Sequence, residues 1–169
     1  MAIQVGNSYV SESAYAQAKM KIEKEQNASS NVPSKGNYLK SLQDKFKGWN
    51  ISANTQAYNG KGLNNIGIAP NVLKDMEEDP EKRLEYEALM IDCKEATKSL
   101  ASAFQQKGMN LTSHGFIIGA DGSLSSWGVT ESGDSNKNMA FGFLPKNNKK
   151  SWFNIIMEGF AGMSPFTCN

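Results

Sequence analysis

The chain's single histidine, His114, is the side chain best suited to proton transfer at neutral pH. As a general base it would need an orienting carboxylate, such as Asp121 or Asp134, and a nucleophile that it could activate. No serine stands in a G-x-S-x-G turn and no cysteine has a papain-like flank. A hydrolase that uses His114 is therefore one hypothesis, but a structural role for a lone histidine in a predicted strand is favoured.

Metal and phosphate sites find little support in the residue spacing. Structural zinc sites use cysteine and histidine, whereas here one histidine accompanies two cysteines, Cys93 and Cys168, that lie far apart in the chain. Residues 121–123 and 134–136 offer oxygens for calcium but lack the ligand spacing of an EF-hand loop. Residues 60–62 (Gly-Lys-Gly) match neither a P-loop nor a dinucleotide fingerprint. We therefore predict no metal and no cofactor.

Charge excludes one class of partner. The 18 basic and 17 acidic residues leave a formal net charge of +1. Arg83 is the one arginine, although arginine is the preferred side chain for phosphates and base edges. The composition thus predicts no nucleic-acid partner. Residues 75–87 hold seven acidic and two basic residues, and residues 137–150 hold four lysines and no acid. These segments could meet each other or a partner's surface, but a solvated face is the favoured interpretation.

The cellular compartment follows from cysteine usage and from the chain's start. Two separated cysteines are typical of a reducing compartment and do not indicate a disulfide framework. Residues 1–10 lack the apolar core of a signal peptide, and no apolar run is long enough to span a membrane. A cytoplasmic location is predicted, with unconventional export left open.

The strongest structural signal is a long amphipathic helix over residues 80–107. Its apolar residues recur every three or four positions from Tyr86 to Phe104, Asp79 and Pro80 open it, and Gly108 closes it. Shorter helices are predicted over 38–46 and from Pro70 onward, and strands over 49–58, 62–70, 109–118, 124–130 and 139–144. Asp121-Gly122 marks a hairpin between two of these strands.

Both ends of the chain differ from this middle part. Residues 1–36 form a polar leader in which a short helix over 14–25 carries a thin apolar stripe, so the leader should order only against the main domain or a partner. Residues 37–145 are predicted to be the compact domain. Residues 146–169 are a basic connection and an apolar helix, whose Trp152, Phe153, Ile156 and Phe160 either pack in the core or bind a protein partner.

The stretch from Asn50 to Trp127 has a recognisable combination of pieces: Ile-Ala-Pro at 68–70, Asp-Pro-Glu-Lys at 79–82 and Asp-Gly at 121–122. It resembles an uncharacterised domain-of-unknown-function family of Gram-positive anaerobic bacteria. The resemblance implies a bacterial source and an unassigned function, and it carries no catalytic or binding residues over to this chain.

Together these patterns predict an α+β fold, in which a mainly antiparallel sheet of three to five strands is packed by one long helix and several short ones. The leading functional hypothesis is a non-enzymatic protein–protein interaction module that binds an unidentified protein or itself. An exported effector or toxin is the first alternative, and the His114 hydrolase is the second. The C-terminal helix is the segment through which contact with a membrane surface stays conceivable.

Overall fold

The computed structural model describes residues 2–27, 37–58, 60–132 and 138–143. Within them the chain forms a β-hairpin, four helices and a five-stranded sheet. The elements, in chain order, are β1 Ala2–Val5, β2 Ser8–Ser11, α1 Glu12–Asn27, α2 Tyr38–Lys45, β3 Asn50–Ser52, β4 Gly62–Ile68, α3 Pro70–Glu78, α4 Pro80–Gln106, β5 Met109–Ile118, β6 Leu124–Ser132 and β7 Asn138–Phe143. The predicted α+β class and the long helix are confirmed.

The larger sheet has the strand order β3-β4-β5-β6-β7 and mixed directions. Strands β3, β4 and β5 run parallel, whereas β5, β6 and β7 run antiparallel. The parallel part follows from the connections: α3 and α4 carry the chain from the end of β4 back to the start of β5, and such a crossover returns a strand in the same direction. With the β1–β2 hairpin included, three of the five described strand pairs are antiparallel.

The helix α4 supplies the centre of the core. Asp79 caps it by accepting hydrogen bonds from the backbone N–H groups of Glu81 and Lys82, at 2.8 and 3.4 Å. Leu100 and Phe104 are buried, as their spacing predicts. The eight consecutive residues 86–93 are also all buried, so this part of the helix is covered on every side. The sheet covers one side, and the chain's N-terminal residues cover another.

One predicted strand is much shorter than expected. The alternation over residues 49–58 predicts a long strand, but β3 ends at Ser52. The chain then leaves the sheet and crosses its outer face, where the carbonyl oxygen of Asn54 lies against the Cα of Gly67. Beyond Ile51 the alternating residues are only alanine and threonine, which bury too little apolar area to hold a strand in register.

On the outer face of the sheet, the Trp127 indole packs directly over Gly115, where a side chain would leave it no room. A Cβ built there would lie 2.6–2.8 Å from three atoms of the Trp127 indole, whose ring in turn contacts Tyr58 with centroids 5.3 Å apart. Because the backbone of Gly115 does not have a positive φ, alanine would be tolerated there without the indole.

We therefore expect Gly115→Ala to lower the free energy of unfolding by about 1–3 kcal/mol through overpacking against Trp127. Chemical denaturation of the single variant and of Gly115→Ala in a Trp127→Leu background measures the coupling. In that background the added methyl should be neutral or stabilising, and an equal loss in both backgrounds would contradict the assigned contact.

The N-terminal residues are better ordered than their composition suggests. We name residues 2–27 the N-terminal segment. The predicted helix is confirmed as α1, and a β-hairpin that was not predicted precedes it. Their buried apolar side chains are those of Val5, Val10, Ala14, Ala18 and Ile22.

The hairpin also docks on the turn between β5 and β6. The Asn7 side-chain amide donates to the carbonyl of Asp121 at 3.0 Å, and the Leu124 N–H donates to the Ser8 hydroxyl at 3.2 Å. The N-terminal segment thus contacts the rest of the described molecule through its hairpin and through α1, which packs along α4.

Candidate functional site

Two carboxylates are buried on α4, and the first of them, Glu87, forms an ion pair inside the molecule. Its Oε2 lies 2.5 Å from the Lys45 Nζ, and the same ammonium lies 2.8 Å from the Glu25 Oε1 at the end of α1. The Tyr38 hydroxyl donates to the other Glu87 oxygen at 3.3 Å. Glu87 is only 1% exposed, so the interpretation of residues 75–87 as a solvated face is wrong at this position.

The electrostatics of this cluster are set by burial. Loss of water raises the pKa of Glu87, whereas the charge of Lys45 and its hydrogen bond lower it. Burial and the neighbouring Glu87 also raise the pKa of Tyr38. The Arg83 guanidinium lies over the Tyr38 ring, 4.9 Å from its centroid. The cluster therefore ties α1, α2 and α4 together, with its charges paired.

The second carboxylate, Asp92, holds the junction between β2 and α1. One oxygen accepts the Ser11 backbone N–H and the other accepts the Ser11 hydroxyl, each at 2.6 Å. The same hydroxyl accepts the N–H of Ala14 at 3.2 Å, so Ser11 also caps the start of α1. Burial raises the pKa of Asp92, and the two Ser11 bonds lower it.

This arrangement is chemically suited to recognition. A carboxylate at the first turn of a helix meets unpaired N–H groups and the positive end of the helix dipole. Two short charge-assisted bonds to one residue fix both its position and its side-chain chemistry. Asp92 therefore holds Ser11, the residue that precedes and caps α1, by its backbone and by its side chain.

His114 lies on the inner face of β5 and is fully buried. Its Nδ1 lies 3.3 Å from the hydroxyl oxygen of Thr97, which itself donates to the carbonyl of Cys93 at 3.0 Å. Because the Thr97 hydroxyl donates to Cys93, its oxygen accepts a hydrogen bond from the ring in the tautomer that carries the proton on Nδ1. Phe116 packs edge-on at a centroid distance of 4.8 Å.

Burial lowers the pKa of His114 to about 4, and a hydrogen bond with the backbone of Leu63 acts in the opposite direction. Such an imidazole is neutral at physiological pH and has no aqueous access.

The carboxylates named for a His114 hydrolase do not join it in the described residues. Ile118 is four strand residues, about 13 Å, along β5 from His114, and Asp121 lies in the turn beyond Ile118. Its Oδ1 accepts the N–H and the hydroxyl of Ser123, at 3.0 and 2.6 Å, which lowers the pKa of Asp121. Asp134 lies outside the described residues.

The comparisons with known proteins give one result. A family model described as protein of unknown function (DUF6033) matches residues 34–151, which is 118 of the 169 residues. The chain belongs to this family. The membership confirms the predicted resemblance to an uncharacterised domain family, while the bacterial group stays a prediction. Neither the curated proteins nor the solved structures contain a significant match.

In each of the two carboxylate contacts, one side lies within the residues that match the family and the other side precedes them. Lys45, Glu87 and Asp92 lie within the part of the chain that matches DUF6033, whereas their partners Ser11 and Glu25 precede it. The N-terminal segment therefore precedes the matched residues, and it covers a surface of α4, which lies within them. We name this surface the α4 face, defined as the part of α4 that β2 and α1 contact, with Asp92 at its polar end.

The other predicted features have the following places. Cys93 is buried and unpaired in α4, and burial raises the pKa of its thiol. In the described ranges no three histidine, cysteine, aspartate or glutamate side chains come together as a metal site would need. No described helix is both long and apolar enough to cross a membrane. The four C-terminal residues proposed for binding, Trp152, Phe153, Ile156 and Phe160, lie outside the described residues, as does Cys168.

Sequence reasoning missed both members of the Asp92 contact. Ser11 and Asp92 are 81 positions apart, and no local pattern links them. A weak signal did exist for the hairpin, because Gly6-Asn7 lies between Ile3-Gln4-Val5 and Tyr9-Val10, and Gly-Asn between apolar runs is typical of a tight turn.

Proposed function

We propose that the protein is a non-enzymatic interaction module whose docking surface is the α4 face, and that the N-terminal segment is the ligand that occupies it here. The observation that carries the proposal is the pair of hydrogen bonds between Asp92 and Ser11. The Asp92 carboxylate, which lies within the residues that match the family, accepts both the N–H and the hydroxyl of Ser11, which lies before them.

The chemistry of the described side chains supports a binding role. Glu87 is paired with Lys45, Asp121 binds its own turn, and His114 is enclosed against Thr97. Each potential acid or base that the sequence singles out, and that the structure describes, is thus engaged in a structural contact. A binding function needs no free reactive group.

The distribution of apolar surface points to the same place. Among the described residues, Met20 and Tyr58 are the exposed large hydrophobic side chains, at 54% and 50% exposure, and they are single residues rather than a patch. An apolar docking surface in the described part of the molecule is therefore one that other residues cover in this structure. The α4 face is such a surface, and the chain's own N-terminal segment covers it.

The contact between the segment and α4 has the character of an exchangeable interface. Two of the five buried apolar side chains of the segment are alanines, and Ser11 anchors the segment to α4 through its two hydrogen bonds with Asp92. The polar contacts of Asn7 and Ser8 go to the β5–β6 turn instead. Transient interfaces are more polar than obligate ones, which resemble a domain core. The buried apolar side chains of the segment belong to the core cluster, so the exchange experiment below decides between a transient and an obligate contact.

The test uses the full chain with a protease site inserted between residues 28 and 36. After cleavage, a fluorescently labelled peptide of residues 2–27 is added, and its binding is followed by anisotropy. We expect the labelled peptide to replace the cleaved segment reversibly while the circular dichroism of the body is retained.

Two results would overturn the proposal. The first is a cleaved protein that loses its fold when the segment is diluted away, since the segment would then be part of an obligatory core. The second is a cleaved protein that stays folded but exchanges no peptide over days.

The apolar C-terminal stretch is proposed as a second contact with a protein partner, through Trp152, Phe153, Ile156 and Phe160. The division of the chain at residues 36 and 145 likewise stays a prediction.

A further inference from the structure

We propose that Lys45 and Glu87 react with each other in the folded protein and form an amide between the lysine side-chain nitrogen and the glutamate carboxyl group. The product would be a covalent cross-link between α2 and α4 that the chain makes by itself. The observation behind the proposal is that a nucleophile, a carboxyl group, a proton acceptor and a hydrogen-bond donor meet at one enclosed point. The inference goes beyond the proposed function and does not depend on exchange of the N-terminal segment.

The two reacting groups are closer together than the partners of an ordinary ion pair. The Lys45 Nζ and the Glu87 Oε2 are 2.5 Å apart, whereas charge-assisted bonds between nitrogen and oxygen usually measure about 2.7–2.9 Å. At ordinary bond angles this places the nitrogen roughly 3.3 Å from the Glu87 Cδ, which is within the range of a near-attack contact. Two groups held in such a contact react as if one were present at about 10⁵ M or more.

Burial favours both the reactive forms and the product. The side chains of Lys45 and Glu87 are 11% and 2% exposed, and loss of water raises the pKa of Glu87. Transfer of one proton from the ammonium to the carboxylate gives an amine and a carboxylic acid, which are the forms that condense. The amide carries no charge, so its formation removes two charges whose burial is costly.

Two further side chains contact the reacting atoms. The Glu25 Oε1 lies 2.8 Å from the Lys45 Nζ, so it can take a proton from the nitrogen as the new bond forms and return it to the leaving oxygen. The Tyr38 hydroxyl donates at 3.3 Å to the Glu87 Oε1, which is the oxygen that stays in the amide. This donor stabilises the negative charge that develops on that oxygen during the attack.

The reaction balances without any other reactant. A bond forms between the Lys45 Nζ and the Glu87 Cδ, and the bond between Cδ and Oε2 breaks. Of the three hydrogens of the ammonium, one stays on the amide nitrogen and two leave with Oε2 as water. The positive charge of the ammonium and the negative charge of the carboxylate cancel, and nothing is oxidised or reduced.

The other lysine–glutamate pairs on α4 provide internal controls. Lys82–Glu85 and Lys98–Glu95 are joined at 2.8 and 3.0 Å, but their lysine side chains are 42% and 64% exposed. Water stabilises the charge of these ammonium groups, and the hydrogen bond to Glu85 raises the pKa of Lys82 further. A protonated nitrogen is not a nucleophile, so we expect no cross-link at either pair.

The test is the intact mass of the purified full chain, followed during incubation at neutral pH. Because the ion pair must first pass a proton between its partners, we expect the linked form to accumulate over days. Its mass is lower than that of the linear chain by one water molecule. After digestion with trypsin, the peptides that contain Lys45 and Glu87 should remain joined. In denaturant no linked form should appear, since the fold no longer holds the two groups together.

Variants assign the role of each group. Lys45→Arg keeps the positive charge beside Glu87 but should give no linked form, because a guanidinium stays protonated. Glu25→Gln should slow the loss of water by about 100-fold, and Tyr38→Phe by about 10- to 100-fold. The matched control is Glu23→Gln, an exposed position on the same helix, which should link at the rate of the wild type.

The outcomes are decisive in both directions. A loss of one water that maps to Lys45 and Glu87 and is absent in Lys45→Arg supports the cross-link. A wild-type chain that stays folded and keeps its linear mass over several weeks overturns it, as does a loss of water that maps to Lys82–Glu85 or Lys98–Glu95 instead. Equal rates for Glu25→Gln and Glu23→Gln would overturn the role of Glu25 as the proton acceptor.

Discussion

Replacing Lys45 by methionine is expected to lower the free energy of unfolding by about 3–5 kcal/mol, because it leaves a buried carboxylate without its counter-ion. The Glu87 side chain is 2% exposed and that of Lys45 is 11% exposed, so water cannot take over the pairing. In the variant the Tyr38 hydroxyl would be the one described donor left to Glu87. Denaturant titration of the purified protein at pH 7 measures the loss.

A surface ion pair provides the matched control. Lys98 and Glu95 are joined at 3.0 Å with side chains 64% and 56% exposed, so Lys98→Met should change the stability by less than about 0.5 kcal/mol. A second change, Glu87→Gln in the Lys45→Met background, should recover most of the loss, since the unpaired charge is then gone. Equal effects of Lys45→Met and Lys98→Met would show that Glu87 is not buried as described.

The same variant has a defined response to pH. Burial already raises the pKa of Glu87, and without Lys45 it should rise further. A carboxyl group whose pKa is raised in the folded state takes up its proton on folding. The penalty for Lys45→Met should therefore shrink as pH falls through that raised pKa, and it should be largest at neutral pH.

Local patterns in the sequence were sufficient for α4 and for the β5–β6 hairpin. The spacing from Tyr86 to Phe104, the Asp79-Pro80 start and the Asp121-Gly122 turn each act over a few residues, and the structure confirms all of them. Such signals are local because a cap or a turn is satisfied by its own neighbours.

Long-range pairing explains what the sequence could not predict. Glu87 stands among acidic residues, so the sequence predicts that it is exposed. In the structure α2 places Lys45, which lies 42 positions earlier, beside it, and the pair is buried. In the sequence, Asp92 is an ordinary polar residue on a helix. Its role appears only in the structure, where the start of α1 lies across it and Ser11 binds it. The direction of β4 relative to β5 likewise depends on where two helices return the chain. Each of these facts is decided by packing rather than by local propensity.

Protonation of His114 alone is expected to lower the free energy of unfolding by about 3 kcal/mol as the pH drops from above 6.5 to below about 4. The folded protein lowers the pKa of this imidazole to about 4 from its ordinary 6.5, so the unfolded chain binds the proton first. A group with a lowered pKa stabilises the fold above its unfolded pKa, and that contribution is lost as pH falls through the folded one. Because the chain has one histidine, its Cε1–H resonance reports this titration without ambiguity.

The comparison of wild type with His114→Gln isolates this effect from the carboxylates. Burial raises the pKa of both Glu87 and Asp92, so these groups favour the fold as pH falls and oppose the contribution of His114. Both carboxylates are present in wild type and in His114→Gln, so their effects cancel when the two free energies of unfolding are subtracted. The stability advantage of wild type over the variant should therefore fall by about 3 kcal/mol between pH 7 and pH 3.5. A folded-state titration of His114 near 6.5 would contradict its burial against Thr97. Such a titration would also mean that His114 has the water access and the pKa near neutrality that a general base requires. The hypothesis of a His114 hydrolase would then be open again.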